Sequence, residues 1–362
     1  MDARVFYDPL KSYEDNYADG PFGDFANRKK IKDPLAPPQS DFLDHKVNLP
    51  FGIPAGPLLN SNYIKAAFDN GFDIAVYKTV RSESYASHPF PNVLGVHIEG
   101  DLTLERAKEP IFADTNYTEP ISITNSFGVP SKDPSIWQDD VRKAMSYVGE
   151  GQVLVLSFMG TVKQNQTEEE FISDFVLAAQ LAYETGTPIL EGNLSCPNIG
   201  NEGLVCYNLG MTRRIVNAVR DKIGDIPLIW KVGYYESDKK LSELAKIAHE
   251  SKSSLSVINT MPGIITDQNG KQALPGSPAR LKSGVCGAVI KWAGIDMVKR
   301  LHAIRLNENY NFSIDGVGGV ISPEDYFEYK EAGADGVFSA TGAMWNANLA
   351  YEIKQEVKNR RR

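Results

Sequence analysis

The sequence predicts an α/β fold of the closed (β/α)8 type, a TIM barrel, with inserted βα loops and an N-terminal extension. Three observations indicate this class. Short apolar runs of strand length recur eight times along the 362 residues, amphipathic segments of helix length lie between them, and two long insertions follow individual strands. Strands that alternate with helices are typical of βαβ units and a parallel sheet, and eight such units predict closure into a barrel.

The predicted strands are short runs rich in aliphatic and β-branched residues. They span Phe51–Ala55, Asp73–Lys78, Gln152–Phe158, Pro188–Asn193, Pro227–Val232, Leu255–Asn259, Phe312–Asp315 and Gly336–Ala340. The helical segments carry apolar residues at helical spacing. They include Glu168–Thr185, Thr212–Ile223, Leu241–Glu250, Ala288–Leu306 and Pro323–Ala332. A doubly wound sheet is the alternative, but its glycine fingerprint does not follow the first strand.

The domain organisation is predicted to be simple. Residues 1–45 form an N-terminal extension, an arm or a cap on the barrel bottom, and residues 46–362 form a single barrel domain. Two insertions interrupt it, Gly95–Pro134 after the second strand and Met261–Gly287 after the sixth, the latter dense in Gly and Pro and without clear periodicity. In a barrel both belong to the βα loops, on the face where active sites are built.

Composition favours an enzyme of the cytoplasm. The net charge of −8 gives no footprint for nucleic acid, and the longest apolar runs are far shorter than a membrane span. The N-terminus shows neither a signal peptide nor the apolar stripe of a membrane-surface helix. Three cysteines form no even framework, which indicates a reducing compartment, and five scattered histidines do not predict a metal site.

The residues at the carboxyl ends of the predicted strands are polar, cationic or very small. They are Ala55-Gly56, Lys78-Thr79, Ser157, Asn193 with Cys196, Lys231, Asn259-Thr260, Gly318-Gly319 and Ala340-Thr341. Because these ends meet at one face of a barrel, they predict a site there. Two lysines in such a ring favour an anionic cofactor. The alternatives are a Schiff-base lysine, as in barrel aldolases, and lysines that merely extend to solvent.

A phosphate site is predicted at the last two strands. Paired glycines at Gly318-Gly319 and the Ala340-Thr341 end let the backbone approach a ligand closely, at the place where barrels commonly bind phosphate. The segment Ser283–Gly287 would close the same pocket from the preceding loop. Within it, Cys286 is interpreted as a small packing residue.

Six residues, Asn193 to Asn198, place two carboxamides around a serine and a thiol directly after a strand. With this motif the chain resembles the dihydroorotate dehydrogenases, FMN-containing barrel enzymes of pyrimidine synthesis, from about Asp44 to about Met344. The other matching segments, in the same order, are Pro50–Gly52 through Ala55-Gly56, Tyr77–Thr79, Asn125–Gly128, Trp230–Gly233, Ile258–Thr260, Gly318-Gly319 and Ala340-Thr341.

The resemblance implies oxidation of dihydroorotate to orotate, in which hydride passes to FMN and Cys196 acts as the base. It implies substrate-binding roles for Lys78, Asn125, Phe127, Gly128, Asn193, Asn198, Asn259 and Thr260. It implies cofactor-binding roles for Ala55, Gly56, Lys78, Thr79, Asn125, Ser157, Asn193, Lys231, Ile258, Gly287, Gly318, Gly319, Ala340 and Thr341. A cysteine base is typical of the soluble class 1 enzymes.

Several points stay open within the resemblance. Ser131, Gly192 and Ala340 depart from the family pattern, Asn259-Thr260 looks more like the class 2 motif, and the insertion at 95–118 is longer than usual. The acceptor of the electrons is fumarate, a quinone, or NAD through a partner subunit with its own iron–sulfur cluster. A homodimer is expected by resemblance. The alternatives are a flavin oxidoreductase for another dihydropyrimidine and a non-redox phosphate-binding barrel.

Overall fold

The structure is a computed structural model that describes residues 5–195, 204–276 and 280–361. The strands in this part of the chain are β1 (Ser40–Phe42), β2 (His45–Val47), β3 (Phe51–Ile53), β4 (Ile74–Val80), β5 (Val93–Val96), β6 (Pro110–Asp114), β7 (Ser122–Asn125), β8 (Val153–Phe158), β9 (Ile189–Asn193), β10 (Leu228–Val232), β11 (Ser254–Val257), β12 (Met261–Thr266), β13 (Lys282–Gly287), β14 (Ile314–Val317) and β15 (Gly336–Phe338).

The α-helices are α1 (Tyr13–Asp19), α2 (Gly23–Asn27), α3 (Ser61–Asp69), α4 (Pro134–Met145), α5 (Glu168–Tyr183), α6 (Leu209–Ile223), α7 (Asp238–Glu250), α8 (Lys291–Asn307), α9 (Pro323–Ala332), α10 (Thr341–Trp345) and α11 (Leu349–Arg360). Short 3-10 turns precede α6 and α8 at Val205–Tyr207 and Ala288–Ile290, and a third spans Arg106–Lys108. No helix in the described ranges combines the length and apolarity that crossing a bilayer requires.

Eight strands close into a parallel barrel in the chain order β3, β4, β8, β9, β10, β11, β14, β15, with β15 paired to β3. Each predicted barrel strand is present, with ends that differ by one or two residues, so the predicted fold class is confirmed. Helix starts follow local chemistry. In α5, Thr167 and Glu170 form a reciprocal capping box, and α9 begins with Pro323 in its first turn behind the capping residue Ser322.

The barrel interior changes character from one end to the other. Near the strand starts, Ile74, Val153, Ile189 and Ile229 pack together as part of a buried apolar cluster. Since side chains alternate along a strand, the residues that share this inner face nearer the strand ends are Lys78, Ser157, Asn193 and Lys231. The two-residue period of the strands therefore gives the barrel interior an apolar floor near the strand starts and a polar rim near the strand ends.

The two insertions join each other, which the sequence analysis did not predict. Strands β5, β6 and β7 of the first insertion and β12 and β13 of the second form a separate five-stranded closed barrel, in the order β12-β13-β7-β5-β6. The segment 261–287, in which the sequence shows no clear periodicity, contains two strands, because β12 and β13 pair antiparallel from Met261 with Val285 to Ile264 with Lys282. In the first insertion, β7 (Ser122–Asn125) contains most of a short run of apolar and β-branched residues, 121–124.

The N-terminal extension divides between both ends of the barrel. The hairpin of β1 and β2 lies at the bottom, where Phe42 meets Phe338 edge-on with ring centroids 6.0 Å apart. Residues 6–17 lie near the opposite end, so the expected placement at the bottom is wrong for them, whereas Phe25 packs against Phe72, just before β4, with ring centroids 6.3 Å apart. The Phe6 amide donates to the Met344 carbonyl oxygen over 3.1 Å, next to α10 and the strand ends.

Candidate functional site

A cavity of about 380 Å³ lies at the carboxyl ends of the barrel strands, bounded on another side by the small barrel. This volume is in the range of small-molecule and cofactor sites. Thirteen of the predicted site residues line it. They are Ala55, Gly56, Lys78, Thr79, Asn125, Phe127, Gly128, Asn193, Lys231, Asn259, Thr260, Ala340 and Thr341.

The remaining predicted residues lie near the cavity or outside the described part of the chain. Cys196 and Asn198 fall in the undescribed range 196–203. Ser157 is buried below the cavity, with its Oγ 2.9 Å from Oγ1 of Thr79, and Ile258 is buried beside the lining Asn259. Gly287, Gly318 and Gly319 each adopt a positive φ and flank the lining residues Cys286 and Val317.

Two ammonium groups are buried at this face. Lys231 is 4% exposed and donates from Nζ to the Ala55 carbonyl oxygen over 2.9 Å. Burial lowers its pKa, opposed by the charge of Glu191. Lys78 is 7% exposed, and its ammonium group has neither a hydrogen-bond partner nor an ion-pair partner among the described residues. Burial, followed by the charges of Arg81 and Lys231, lowers the Lys78 pKa to about 7.

The charge of the cavity is opposite to that of the whole protein. Lys78, Lys231, Arg280 and Lys282 line it, and no Asp or Glu does among the residues that the structure describes. The chain as a whole carries a net charge of −8. Because uncompensated buried cations are costly, this lining indicates a ligand with negative charge.

Three carboxamides reach the same cavity from different elements. Asn125 ends β7 of the small barrel and lies with its Nδ2 3.7 Å from the Cys286 sulfur. Asn193 ends β9, and its Oδ1 accepts from the Ser195 amide over 3.0 Å. Asn259 follows β11, its backbone amide donating to the Val232 carbonyl oxygen over 2.9 Å. Carboxamides that both donate and accept suit a planar ring with alternating donors and acceptors.

The loop after β7 is held against the cavity by Arg81. Its Nη2 donates to the Gly128 carbonyl oxygen over 3.0 Å, and its Nε donates to the Val129 carbonyl oxygen over 2.9 Å. His88 lies between β4 and β5, and its amide donates to the Phe127 carbonyl oxygen of the loop after β7 over 3.0 Å. Burial, with Arg280 and Arg81, lowers the pKa of His88 to about 4. The imidazole is therefore neutral at pH 7 and can accept the hydrogen bond from Arg280, whose Nη1 is 2.6 Å from His88 Nδ1.

Sequence reasoning missed several lining residues, among them Tyr7, His88, Arg280, Lys282 and Met344, and it misread Cys286. The structure places Cys286 in the cavity wall, where burial raises its pKa. A signal existed for part of this set. Lys282, Gly284 and Cys286 alternate along β13 and all line the cavity. Recognition of 282–287 as a strand would have placed them on one face.

Comparison with known proteins assigns this site to a family. A family model described as dihydroorotate dehydrogenase matches residues 39–360. The chain belongs to the dihydroorotate dehydrogenase family. It is 35% identical over 370 residues to a dihydroorotate dehydrogenase of Dictyostelium discoideum, a match that covers 98% of each chain.

More distant matches are catalytic subunits of dihydroorotate dehydrogenase B (NAD(+)). That of Brachyspira hyodysenteriae is 26% identical over 288 residues, covering 76% of this chain and 85% of the relative. That of Malacoplasma penetrans is 29% identical over 199 residues, covering 52% of this chain and 59% of the relative. Dihydroorotate dehydrogenases are flavin-dependent oxidoreductases, which agrees with a cationic cavity at the strand ends of this barrel.

We predict that Lys78→Met stabilises the cofactor-free protein at pH 7, on the order of 2–4 kcal/mol. Lys78 titrates at about 7 when folded, against an ordinary value of 10.5. The folded state therefore binds fewer protons between these values, so the destabilisation is full below pH 7 and is lost as the pH rises towards 10.5. Urea unfolding of both proteins at pH 7 and pH 10 checks this.

Lys299→Met, on an exposed position of α8, controls for the loss of one positive charge. If Lys78→Met gives no stabilisation at pH 7, or the same gain at both pH values, the buried ammonium is not the cause.

Proposed function

We propose that the chain oxidises dihydroorotate to orotate, with FMN as its flavin and Cys196 as the base. The observation that supports this most strongly is the composition of the cavity lining. Two buried lysines and three carboxamides converge there, and no carboxylate lines it in the described part of the chain. Dihydroorotate is an anion with ring amides, and FMN carries a phosphate and a dione, so both ligands need this combination of cations and amides.

The residues present fit FMN. Lys78 is a buried cation without a partner among the described residues, which a bound anionic or electron-rich group would provide. Near the last two strands, Gly319 adopts φ 70°, and a Cβ there would lie 2.6 Å from the Lys291 Cβ. Only glycine lets the chain turn this closely, and such turns present amides to phosphate.

In this proposal each end of the cavity holds one part of the cofactor. Gly318, Gly319, Ala340 and Thr341 would hold the phosphate, with Gly287 beside them. Lys231, Lys78 and Thr79 would contact the ring system, with Ala55, Gly56, Ser157, Asn193 and Ile258 around them. When bound, FMN supplies the hydride acceptor.

The substrate would lie between the ring system and the small barrel. Asn125, Asn193 and Asn259, together with Asn198, would bind the ring amides and the carboxylate, with Thr260, Phe127 and Gly128 completing the wall. Because these carboxamides come from β7, β9 and β11, their relative positions depend on two different barrels. Such fixed hydrogen bonds hold the carbon–hydrogen bond to be broken in one orientation.

Cys196 would remove the proton from C5 of dihydroorotate. It follows Asn193-Leu194-Ser195, whose conformation is fixed by hydrogen bonds from the Ser195 amide to Asn193 Oδ1 and from the Leu194 amide to the Lys231 carbonyl oxygen, the latter over 2.9 Å. The chain thus leaves the strand next to both the lysine and the carboxamide that bind the ligands.

A cysteine base supports class 1 membership. Fumarate as electron acceptor and a homodimer remain predictions of the same resemblance, and a cytoplasmic location remains a prediction from composition. The chain matches 85% of the length of the Brachyspira dihydroorotate dehydrogenase B (NAD(+)) catalytic subunit. It matches 98% of the length of the Dictyostelium enzyme. Steady-state assays with fumarate, NAD and a quinone as separate acceptors test the first point, and light scattering tests the oligomeric state.

We expect the purified protein to be yellow, to release FMN on denaturation, and to lose its flavin colour when dihydroorotate is added without oxygen. Mass spectrometry of the released cofactor and anaerobic absorbance at the flavin maximum are the measurements. Dihydrouracil, which lacks the carboxylate, is the matched control substrate. A protein that is colourless and binds no FMN, or one that dihydrouracil bleaches faster than dihydroorotate, contradicts the proposed function.

We expect Cys196→Ala to slow the dihydroorotate-driven loss of flavin colour by roughly two to four orders of magnitude, the usual contribution of a positioned base. Stopped-flow absorbance measures the rate. Cys206→Ala is the control for the loss of a thiol, because Cys206 is buried and does not line the cavity. An unchanged rate in Cys196→Ala would assign the base to another residue.

We expect Asn125→Ala to weaken orotate binding by about 1–3 kcal/mol, since one polar group of the ligand loses its partner. Orotate titration, followed by the change in flavin absorbance, gives the dissociation constant. Asn62→Ala, on the exposed face of α3, is the control. If orotate binds Asn125→Ala as tightly as the parent, the substrate does not contact the small barrel at this residue.

A further inference from the structure

Cys286 lies in the cavity wall between two side chains for which ligand-binding roles are proposed above. Its sulfur is 3.7 Å from Nδ2 of Asn125, at the end of β7. The side chain of Thr341, at the start of α10, also hydrogen-bonds the thiol. All three residues line the cavity. The sulfur therefore contacts both the carboxamide proposed for the substrate and the hydroxyl proposed for the cofactor phosphate.

The pairing of β7 with β13 explains why the Asn125 side chain reaches this sulfur. Gly284 lies directly opposite Asn125, and Cys286 lies opposite Ile123, so Cys286 is the diagonal neighbour of Asn125 on the same face of the sheet. A Cβ at position 284 would lie 2.5 Å from Oγ1 of Thr260. Because glycine adds no side chain there, the carboxamide meets the next residue on this face of β13, which is Cys286.

The contact with sulfur restricts the one part of Asn125 that the strands leave free. Its backbone is paired with β5 on one side and with β13 on the other. A carboxamide has two N–H groups and one oxygen with two lone pairs. In Asn125 the N–H directed at sulfur is the one group of these with a partner among the described residues. The other N–H and Oδ1 are left for a ligand.

The thiol of Cys286 acts here as a neutral group. Burial raises its pKa, opposed by the hydrogen bonds from Thr341 and Asn125 and by the charge of Lys231. The thiol therefore keeps its proton at neutral pH and is not a second base beside Cys196. A neutral sulfur is a weak hydrogen-bond acceptor, so its effect on the site is to orient the carboxamide.

We propose that Cys286 is a positioning residue for substrate binding, whose sulfur accepts one N–H of Asn125 and holds the carboxamide in the orientation that binds the ligand ring. The inference deepens the proposed function and rests on it, because that function assigns Asn125 to the substrate. A carboxamide free to turn by half a rotation would offer a donor where the ligand needs an acceptor. Fixing it in advance lowers the entropy lost on binding.

The test is a double-mutant cycle of Cys286→Ala and Asn125→Ala. Cys286→Ser is the conservative variant, and Cys206→Ala is the control for the loss of a buried thiol that does not line the cavity. Titration of each FMN-loaded protein with orotate, followed by the flavin difference spectrum, gives the orotate dissociation constant. Quenching of free FMN fluorescence by cofactor-free protein gives the FMN dissociation constant, and thermal unfolding of the cofactor-free proteins reports on packing.

We expect Cys286→Ala to weaken orotate binding about 2- to 5-fold, the contribution of one weak hydrogen bond. Cys286→Ser keeps an acceptor and should recover most of this loss. In the Asn125→Ala background, Cys286→Ala should leave orotate affinity unchanged, because the carboxamide that the sulfur orients is absent. FMN affinity should change less than orotate affinity, and Cys206→Ala should change neither.

Three outcomes contradict the inference. Cys286→Ala that binds orotate as tightly as the parent, whatever its melting temperature, assigns the thiol to packing alone. The same loss with and without Asn125 shows that the thiol does not act through the carboxamide. An equal loss in Cys286→Ser and Cys286→Ala shows that the size of the sulfur matters and not its hydrogen bond. A parent protein that binds no orotate instead overturns the proposed function, and this inference with it.

Discussion

The buried ammonium of Lys78 is the interaction on which the site depends. It lies where β4 leaves the apolar floor of the barrel, and the described lining of the cavity contains no carboxylate that would neutralise it. The carboxyl groups that are buried inside the barrel, those of Glu191 and Asp315, do not supply this negative charge. Burial raises the pKa of Glu191 and of Asp315, which favours their neutral forms and preserves the positive field at the strand ends. A ligand with negative charge then completes a structure that is unbalanced without it.

The small barrel adds selectivity for the shape of the ligand to this positive charge. Asn125 pairs with Gly284 across β7 and β13, and the hydroxyl of Ser283 donates to the Asn125 carbonyl oxygen over 2.5 Å. The carboxamide therefore belongs to a hydrogen-bonded sheet and not to a free loop. A carboxamide from one barrel and lysines from another reach one ligand from opposite sides, which is a stricter geometric requirement than either set imposes alone.

The sequence predicted those parts of the fold in which a single pattern of apolar residues, that of a strand or that of a helix, dominates a segment. Each barrel strand shows the alternation or the apolar run that a half-buried or fully buried strand requires, and the strand ends followed from it. The prediction failed where pairing comes from distant residues, as between β12 and β6, because Pro and Gly within 261–287 concealed a strand pattern. Gly192 shows a subtler limit. A Cβ there would lie 2.1 Å from the Trp230 ring, so the bulk expected on β9 has moved to the adjacent strand.

Tyr7 could not be predicted from its neighbours in sequence, because nothing near residue 7 shows a strand end or a motif. Its position depends on contacts with Phe127 and Met344, residues far along the chain. Since the apolar contacts of Phe6 and the hydrogen bonds of Asn16 hold the extension, the same packing that stabilises the fold also sets the position of the Tyr7 ring at the cavity. Loosening that packing would therefore change the shape of this cavity wall even where no lining residue is altered.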